Sequence, residues 1–238
     1  MFFIYNIFLL IILLISPIIL IIRIFLRKED KIRFKEKFCL FSEKNYVDGT
    51  IWFHGASVGE ILSIIPIIKR FEKDSKIKRI LITSSTTSSS YILSKYKFKK
   101  TIHQFYPFDL NILTKLFIHY WKPRLAIFVE SEIWPNMYNN LHKRKIPLIL
   151  LNARITKKSF NRWRNFPNFS KNIFEKIRVA LPQNNETKRY LKLLGTKNIK
   201  IAGNIKFYGA ALSNYNTSSL KKKFLRKNIL CAASTHKN

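Results

Sequence analysis

Ile51-Trp52-Phe53-His54-Gly55-Ala56-Ser57-Val58-Gly59-Glu60, continued by Ile61 through Lys73, is the stretch that decides the fold. Ile51–His54 is a short, β-rich apolar run, and the small residues Gly55, Ala56, Ser57 and Gly59 let the backbone turn tightly and a ligand come close. From Glu60 to Lys73, Ile61, Ile64, Ile65, Ile68 and Phe71 recur at helical spacing, with Lys69, Arg70 and Lys73 mostly opposite. A helix with one apolar face directly after a strand has to pack on the sheet to which that strand belongs.

Outward from this unit the alternation repeats. Arg79–Thr83, Ile102–Phe105, Leu125–Val129, Pro147–Leu151, Val179–Pro182 and Lys200–Ala202 also read as strands, and a helical stretch lies between most of them. Repeated strand–helix–strand units call for parallel strands joined by right-handed crossovers. The expected fold is α/β, a Rossmann-like domain over 50–210 whose parallel sheet carries helices on both faces and whose ligand crevice lies at the carboxyl ends of the strands. Ser84–Ser90, the one strongly biased tract, fits a polar turn and helix cap as readily as a ligand contact.

Upstream, Met1–Ile22 carries no charge and is mostly Phe, Ile and Leu. As a helix it reaches roughly 33 Å, enough to cross a bilayer core, and it reads as apolar on every side. Lys or Arg does not precede the apolar run, so it does not read as a cleaved signal peptide. Residues 1–26 are therefore expected to be a membrane anchor, spanning or monotopic, and 27–49 a basic juxtamembrane segment. From Arg23 to Lys37 seven basic residues face three acidic ones, which places the rest of the chain on the cytoplasmic side of the membrane.

The 238 residues carry 44 Lys+Arg against 13 Asp+Glu, a formal charge of +31. Such a surface attracts anionic membranes or polyanions. A membrane-tethered nucleic-acid binder is one reading of it, although no nucleic-acid motif supports that reading. The abundance of Ile, Lys, Asn and Phe is also what A+T-rich coding produces. Cys39 and Cys231 lie far apart without Cys-x-x-Cys spacing, so neither a disulfide nor zinc is expected. His103, His119, His142 and His236 lack metal spacing, and His54 reads as packed or hydrogen-bonded rather than catalytic.

Polar clusters follow four of the strands. Ser57 and Glu60 have the spacing of a helix capping box, which competes with any chemical role for Glu60. Phe128-Val129-Glu130-Ser131-Glu132-Ile133-Trp134-Pro135-Asn136 puts two carboxylates at a strand end, where Glu130 needs a basic partner and Glu132 is suited to opening the next helix. Asn152-Ala153-Arg154-Ile155, with Ser159, Arg162 and Trp163 beyond it, and Gly203-Asn204-Ile205-Lys206-Phe207 complete the set.

In order and position, "HGASVGE", "ESEIWPN", "NARIT" and "GNIKF" closely resemble the Kdo transferases, glycosyltransferases of GT-B architecture. The resemblance also takes in the apolar amino terminus and "RFKEKF" at Arg33–Phe38, and so covers nearly the whole chain. It implies an enzyme that moves 3-deoxy-D-manno-octulosonic acid (Kdo) from CMP-Kdo to a lipid A precursor, lipid IVA, in lipopolysaccharide biosynthesis. The implied reaction inverts the anomeric carbon and uses neither a metal nor a cofactor besides the donor substrate. By the same resemblance Glu60 is the proton acceptor, and Glu130 and Lys206 are transition-state stabilisers. Ser57, Gly59, Arg154, Arg162 and Arg164 are candidate substrate-binding residues. Residues 211–238 are then a linker and the start of an incomplete second, nucleotide-binding domain. On that expectation the isolated chain is inactive, either an amino-terminal half needing a separately encoded carboxyl-terminal half or a truncated remnant.

Overall fold

The computed structural model describes residues 1–44 and 47–206. The expected linker and second domain over 211–238, together with Phe207, Cys231 and His236, lie outside the described residues. The apolar runs form six strands: β1 (Thr50–His54), β2 (Ile80–Ser84), β3 (Thr101–Phe105), β4 (Pro123–Val129), β5 (Leu148–Ala153) and β6 (Val179–Pro182). They make one sheet in the order β3-β2-β1-β4-β5-β6, with every neighbouring pair parallel. The chain starts at the centre, winds out to one edge, returns to the centre at β4 and winds out to the other. That reversal opens a crevice at the carboxyl ends of β1 and β4.

One expectation is corrected. Lys200–Ala202 is not a strand: Ile199 makes a single parallel bridge to Ala180, and Lys200 donates its N–H to the Ala180 carbonyl at 2.9 Å. Beyond that the backbone leaves the sheet edge and turns back over the strand ends.

Crossover helices cover both faces. On one side α2 (Val58–Lys73) and α3 (Thr87–Ser94) pack Ile61, Ile64, Ile68 and Leu93 against Ile51, Phe53, Ile80 and Ile82. On the other, α4 (Asn111–Trp121), α5 (Pro135–Lys143), α6 (Lys157–Arg164), α7 (Pro167–Phe174) and α8 (Asn185–Leu194) cover Trp52, Leu81, Phe128 and Leu150. Alternate residues of β1 feed opposite cores, Phe53 one and Trp52 the other, as the two-residue period of a strand requires. Thr86 caps α3 by accepting the Ser89 N–H, so part of the Ser84–Ser90 tract is a helix start.

Ahead of the sheet, α1 (Phe2–Phe25) is followed by a 3-10 helix over Arg33–Phe38 that closes the β3 edge. Buried Glu36 accepts the Phe105 N–H at 2.8 Å, and Arg33 grips its carboxylate through Nε at 2.7 Å and Nη2 at 3.0 Å. Arg33 also reaches Ser90 Oγ at 3.0 Å and the His103 carbonyl at 2.8 Å. A buried carboxylate with a fork-like cation and a backbone donor is fully paired, and it satisfies an edge N–H that would otherwise invite another strand.

Candidate functional site

Where β1 ends, Gly55 and Ala56 lead into Ser57, the N-cap of α2, whose Oγ accepts the Glu60 N–H at 3.3 Å. The Glu60 carboxylate folds back over the turn, accepting the Ala56 N–H at 2.7 Å and the Ser57 hydroxyl at 2.9 Å. Gly55 makes room for it, because a Cβ there would stand 3.1 Å from Glu60 Cβ. The capping reading and the functional reading therefore coexist: Glu60 closes the helix start and is still half-exposed at the crevice. Its pKa is raised above the usual carboxylate value. Burial is the main cause, followed by the charge of Glu132 and, last, that of Glu130, while the Ser57 and Ala56 bonds pull the other way.

At the end of β4, Glu130 is buried and adopts the left-handed conformation, with φ 58°. Its Oε1 meets Lys206 Nζ at 2.5 Å. Asn152, also left-handed at φ 52° and beside a register shift in β5, aims its amide at the same oxygen from 3.5 Å. Asn152 Oδ1 also accepts the Ile205 N–H at 3.2 Å, which ties the 203–206 segment down over the strand ends. A Cβ on Gly59 would lie 3.9 Å from Lys206 Nζ, so the ammonium sits above the turn from which Glu60 rises. Ser57, Gly59, Glu60, Glu130 and Lys206 thus share one place.

Glu132 corrects the sequence reading. It does not open a helix, since α5 starts at Pro135 with Trp134 as N-cap. Its Oε2 instead accepts from Trp134 Nε1 at 2.9 Å and faces His54 Nε2 at 3.1 Å. On the other side of the ring, His54 Nδ1 lies 2.9 Å from the Thr83 hydroxyl and 3.3 Å from the Thr83 carbonyl. Thr83 Oγ1 in turn accepts from Trp52 Nε1 at 2.9 Å. This chain of bonds holds Glu132 where its charge acts on Glu60. The signal available for it was that His54 ends β1 and Glu132 follows the adjacent strand β4 by three residues.

The arginines divide. Arg154 is exposed next to Glu130, donating its N–H to the Glu130 carbonyl at 3.3 Å. Arg162 is exposed on α6. Arg164 lines a different cavity of about 910 Å³ between α6, α7 and α8, with Lys157, Lys171, Arg189 and Lys192 around it. Among the described residues no group of three or more His, Cys, Asp or Glu is placed to hold a metal ion.

Residues 32–208 match the family model described as 3-deoxy-D-manno-octulosonic-acid transferase (kdotransferase). A 3-deoxy-D-manno-octulosonic acid transferase of Rickettsia bellii is 35% identical over 221 residues, 92% of this chain and 53% of that protein. The enzyme of the same name from Rickettsia prowazekii is 36% identical over 197 residues, 82% of this chain and 42% of its own length. The chain thus spans about half the length of these curated relatives. A crystal structure of UDP-GlcNAc 2-epimerase from Neisseria meningitidis bound to UDP-GlcNAc is similar in fold, with a TM-score of 0.52 at 13% identity, covering 74% of this chain and 53% of that one.

Proposed function

Because the chain belongs to the 3-deoxy-D-manno-octulosonic acid transferase family, we propose that it supplies the acceptor-side, base-bearing half of a glycosyltransferase that moves Kdo from CMP-Kdo to lipid IVA at a membrane surface. The observation that carries this reading is a half-exposed Glu60 carboxylate of raised pKa, standing in the crevice at the strand ends beside the Glu130–Lys206 pair.

The acceptor hydroxyl is a weak nucleophile until it loses its proton. Glu60 Oε takes that proton as the hydroxyl oxygen bonds to the anomeric carbon, and the bond from that carbon to the CMP phosphate breaks with its electrons staying on CMP. Attack on the face opposite the leaving group inverts the centre. A carboxylate whose pKa is raised is a stronger base, and burial together with the charges of Glu132 and Glu130 supports that tuning. Lys206 carries the positive charge suited to the departing phosphate. Glu130, held against Lys206 and aimed by its own left-handed backbone, sets where that ammonium stands and offers negative charge to a sugar carbon turning cationic.

Ser57 orients the Glu60 carboxylate, and Gly59 leaves the space between the turn and Lys206 open for an acceptor oxygen. Arg154, exposed beside the pair, is suited to an acceptor phosphate, whereas Arg162 and Arg164 meet the acceptor only if it extends along α6. The apolar α1 and the +31 charge support attachment to an anionic membrane.

Kdo transfer from CMP-Kdo to lipid IVA in detergent tests the reading, for the chain alone and for the chain supplemented with a family carboxyl-terminal half. Glu60→Gln is expected to abolish whatever transfer is recovered. Undiminished transfer by that variant would refute Glu60 as the base.

A further inference from the structure

α1 is long and apolar enough to cross a bilayer, yet its surroundings argue for another posture. Its few polar side chains, Tyr5, Asn6, Ser16 and Arg23, are all sheltered or half-sheltered, spaced so that they fall on one face of the helix. At its start that face is fastened to the catalytic domain. Tyr5 donates its hydroxyl to buried Asp109 at 2.8 Å, the Asn136 amide donates to Asn6 Oδ1 at 2.8 Å, and Phe2 packs edge-on against Phe169 with ring centroids 5.0 Å apart. Asp109 also accepts the Asn136 and Met137 N–H groups at 2.9 and 2.8 Å, so the helix end sits on the cap of α5.

The other end is fastened to the same domain. Four residues past the helix, Glu29 takes Lys37 at 2.6 Å and Arg23 at 3.2 Å, and the 3-10 turn holding Lys37 is pinned to β3 through Glu36. The 24 residues of α1 reach about 36 Å, more than the roughly 30 Å of a bilayer core. A domain lying on one side of a membrane cannot hold both ends of a helix that crosses it.

The opposite face of α1 is open and apolar along its whole length. Phe3, Leu14 and Phe25 are 77%, 79% and 82% exposed, and their eleven-residue spacing places them on one stripe. For most interfacial helices the polar face is solvated; here the protein takes that place, and the outward face is left for acyl chains.

We infer that α1 lies flat in the membrane interface as a strap across the catalytic domain, its Phe3–Leu14–Phe25 stripe sunk among the lipid chains, instead of spanning the bilayer. This rests on the membrane attachment proposed above. A flat strap orients the domain as well as tethering it, since Asp109 beneath the strap accepts the Asn136 and Met137 N–H groups in the first turn of α5, and the loop preceding α5 carries Glu130 and Glu132.

Nitroxide labels at Phe3→Cys, Leu14→Cys and Phe25→Cys, each introduced singly with Cys39 and Cys231 replaced by Ser, measure the posture in vesicles of phosphatidylethanolamine and phosphatidylglycerol. Equal, shallow depths at all three positions are expected. A helix crossing the bilayer would put the Leu14 label about 16 Å deeper than the end labels, from eleven residues of helical rise, and that result would overturn the strap while leaving membrane attachment standing. Labels that remain fully reached by aqueous quenchers would overturn both.

Discussion

Glu60→Gln is expected to separate what Glu60 does for the fold from what it does for chemistry. The wild-type side chain accepts two hydrogen bonds at the start of α2, from the Ala56 N–H at 2.7 Å and the Ser57 hydroxyl at 2.9 Å. At about 1 kcal/mol net each, their loss in Glu60→Ala removes about 2 kcal/mol, in keeping with the usual size of a capping interaction. Gln keeps an oxygen for Ala56 and offers an amide to Ser57, so the cap survives, while the charge and its repulsion by Glu132 and Glu130 disappear. The raised pKa fixes the sign of that second change. The folded state binds the Glu60 proton more readily than the unfolded chain, so above the folded pKa the ionised group lowers stability, and the deficit closes as pH falls below the unfolded value of about 4.5. Urea unfolding at pH 7 should therefore place Glu60→Gln at or above the wild type and about 1–2 kcal/mol above Glu60→Ala, with the gap to wild type narrowing at lower pH. A Gln variant as unstable as the Ala variant would show that the charge holds the turn together, and would refute a carboxylate kept ionised at a cost to the fold.

Two other outcomes rest on the same geometry. Gly55→Ala puts a Cβ 3.1 Å from Glu60 Cβ and 3.4 Å from Ile61 Cδ1, and it should lower stability in urea by about 1–3 kcal/mol while displacing the carboxylate from Ala56. An unchanged midpoint would mean that the turn yields freely. His103 is pushed down to about 3 by burial and by the neighbouring Arg33 charge. Because its folded pKa lies below the unfolded value of about 6.5, the unfolded chain binds more protons under acid conditions, and this group lowers stability by about 2 kcal/mol by pH 5. The loss in midpoint between pH 7.5 and pH 5 should shrink by that order in His103→Gln, and equal losses in both proteins would refute the assignment.

The architecture was legible because periodicity dictates it. Each of the six strands overlaps an apolar run, and α2 carries the face set by Ile61, Ile64, Ile65 and Ile68. Lys200–Ala202 misled because three residues after Asn198 carry β-like character but have only Ala180 and Pro182 to pair with at the sheet edge. The helix α1 reads as apolar all round because Tyr5, Asn6 and Ser16 are few and spread over three turns; the fold reveals that the face they share is the one fastened to the protein. Within the site, strand-end placement brought Glu60, Glu130 and Lys206 together. The His54–Glu132 contact is long-range, 78 residues apart in sequence, and local capping rules assigned Glu132 elsewhere. Arg164 lines the cavity between α6, α7 and α8 and not the crevice, because proximity in sequence to Arg154 says nothing of which side of α6 faces the strand ends.

Glu130 ends β4 in a left-handed conformation that favours Gly or Asn and costs other residues about 1–2 kcal/mol. Gly or Asn would relieve that strain, while the Lys206 ion pair and the Asn152 amide favour keeping the carboxylate. In a library screened solely for folded, protease-resistant protein, Gly at position 130 should be accepted more readily once Lys206 is also replaced. On the role proposed above for Glu130 and Lys206, a lineage released from transfer would lose the two residues together, each leaving the other without its partner.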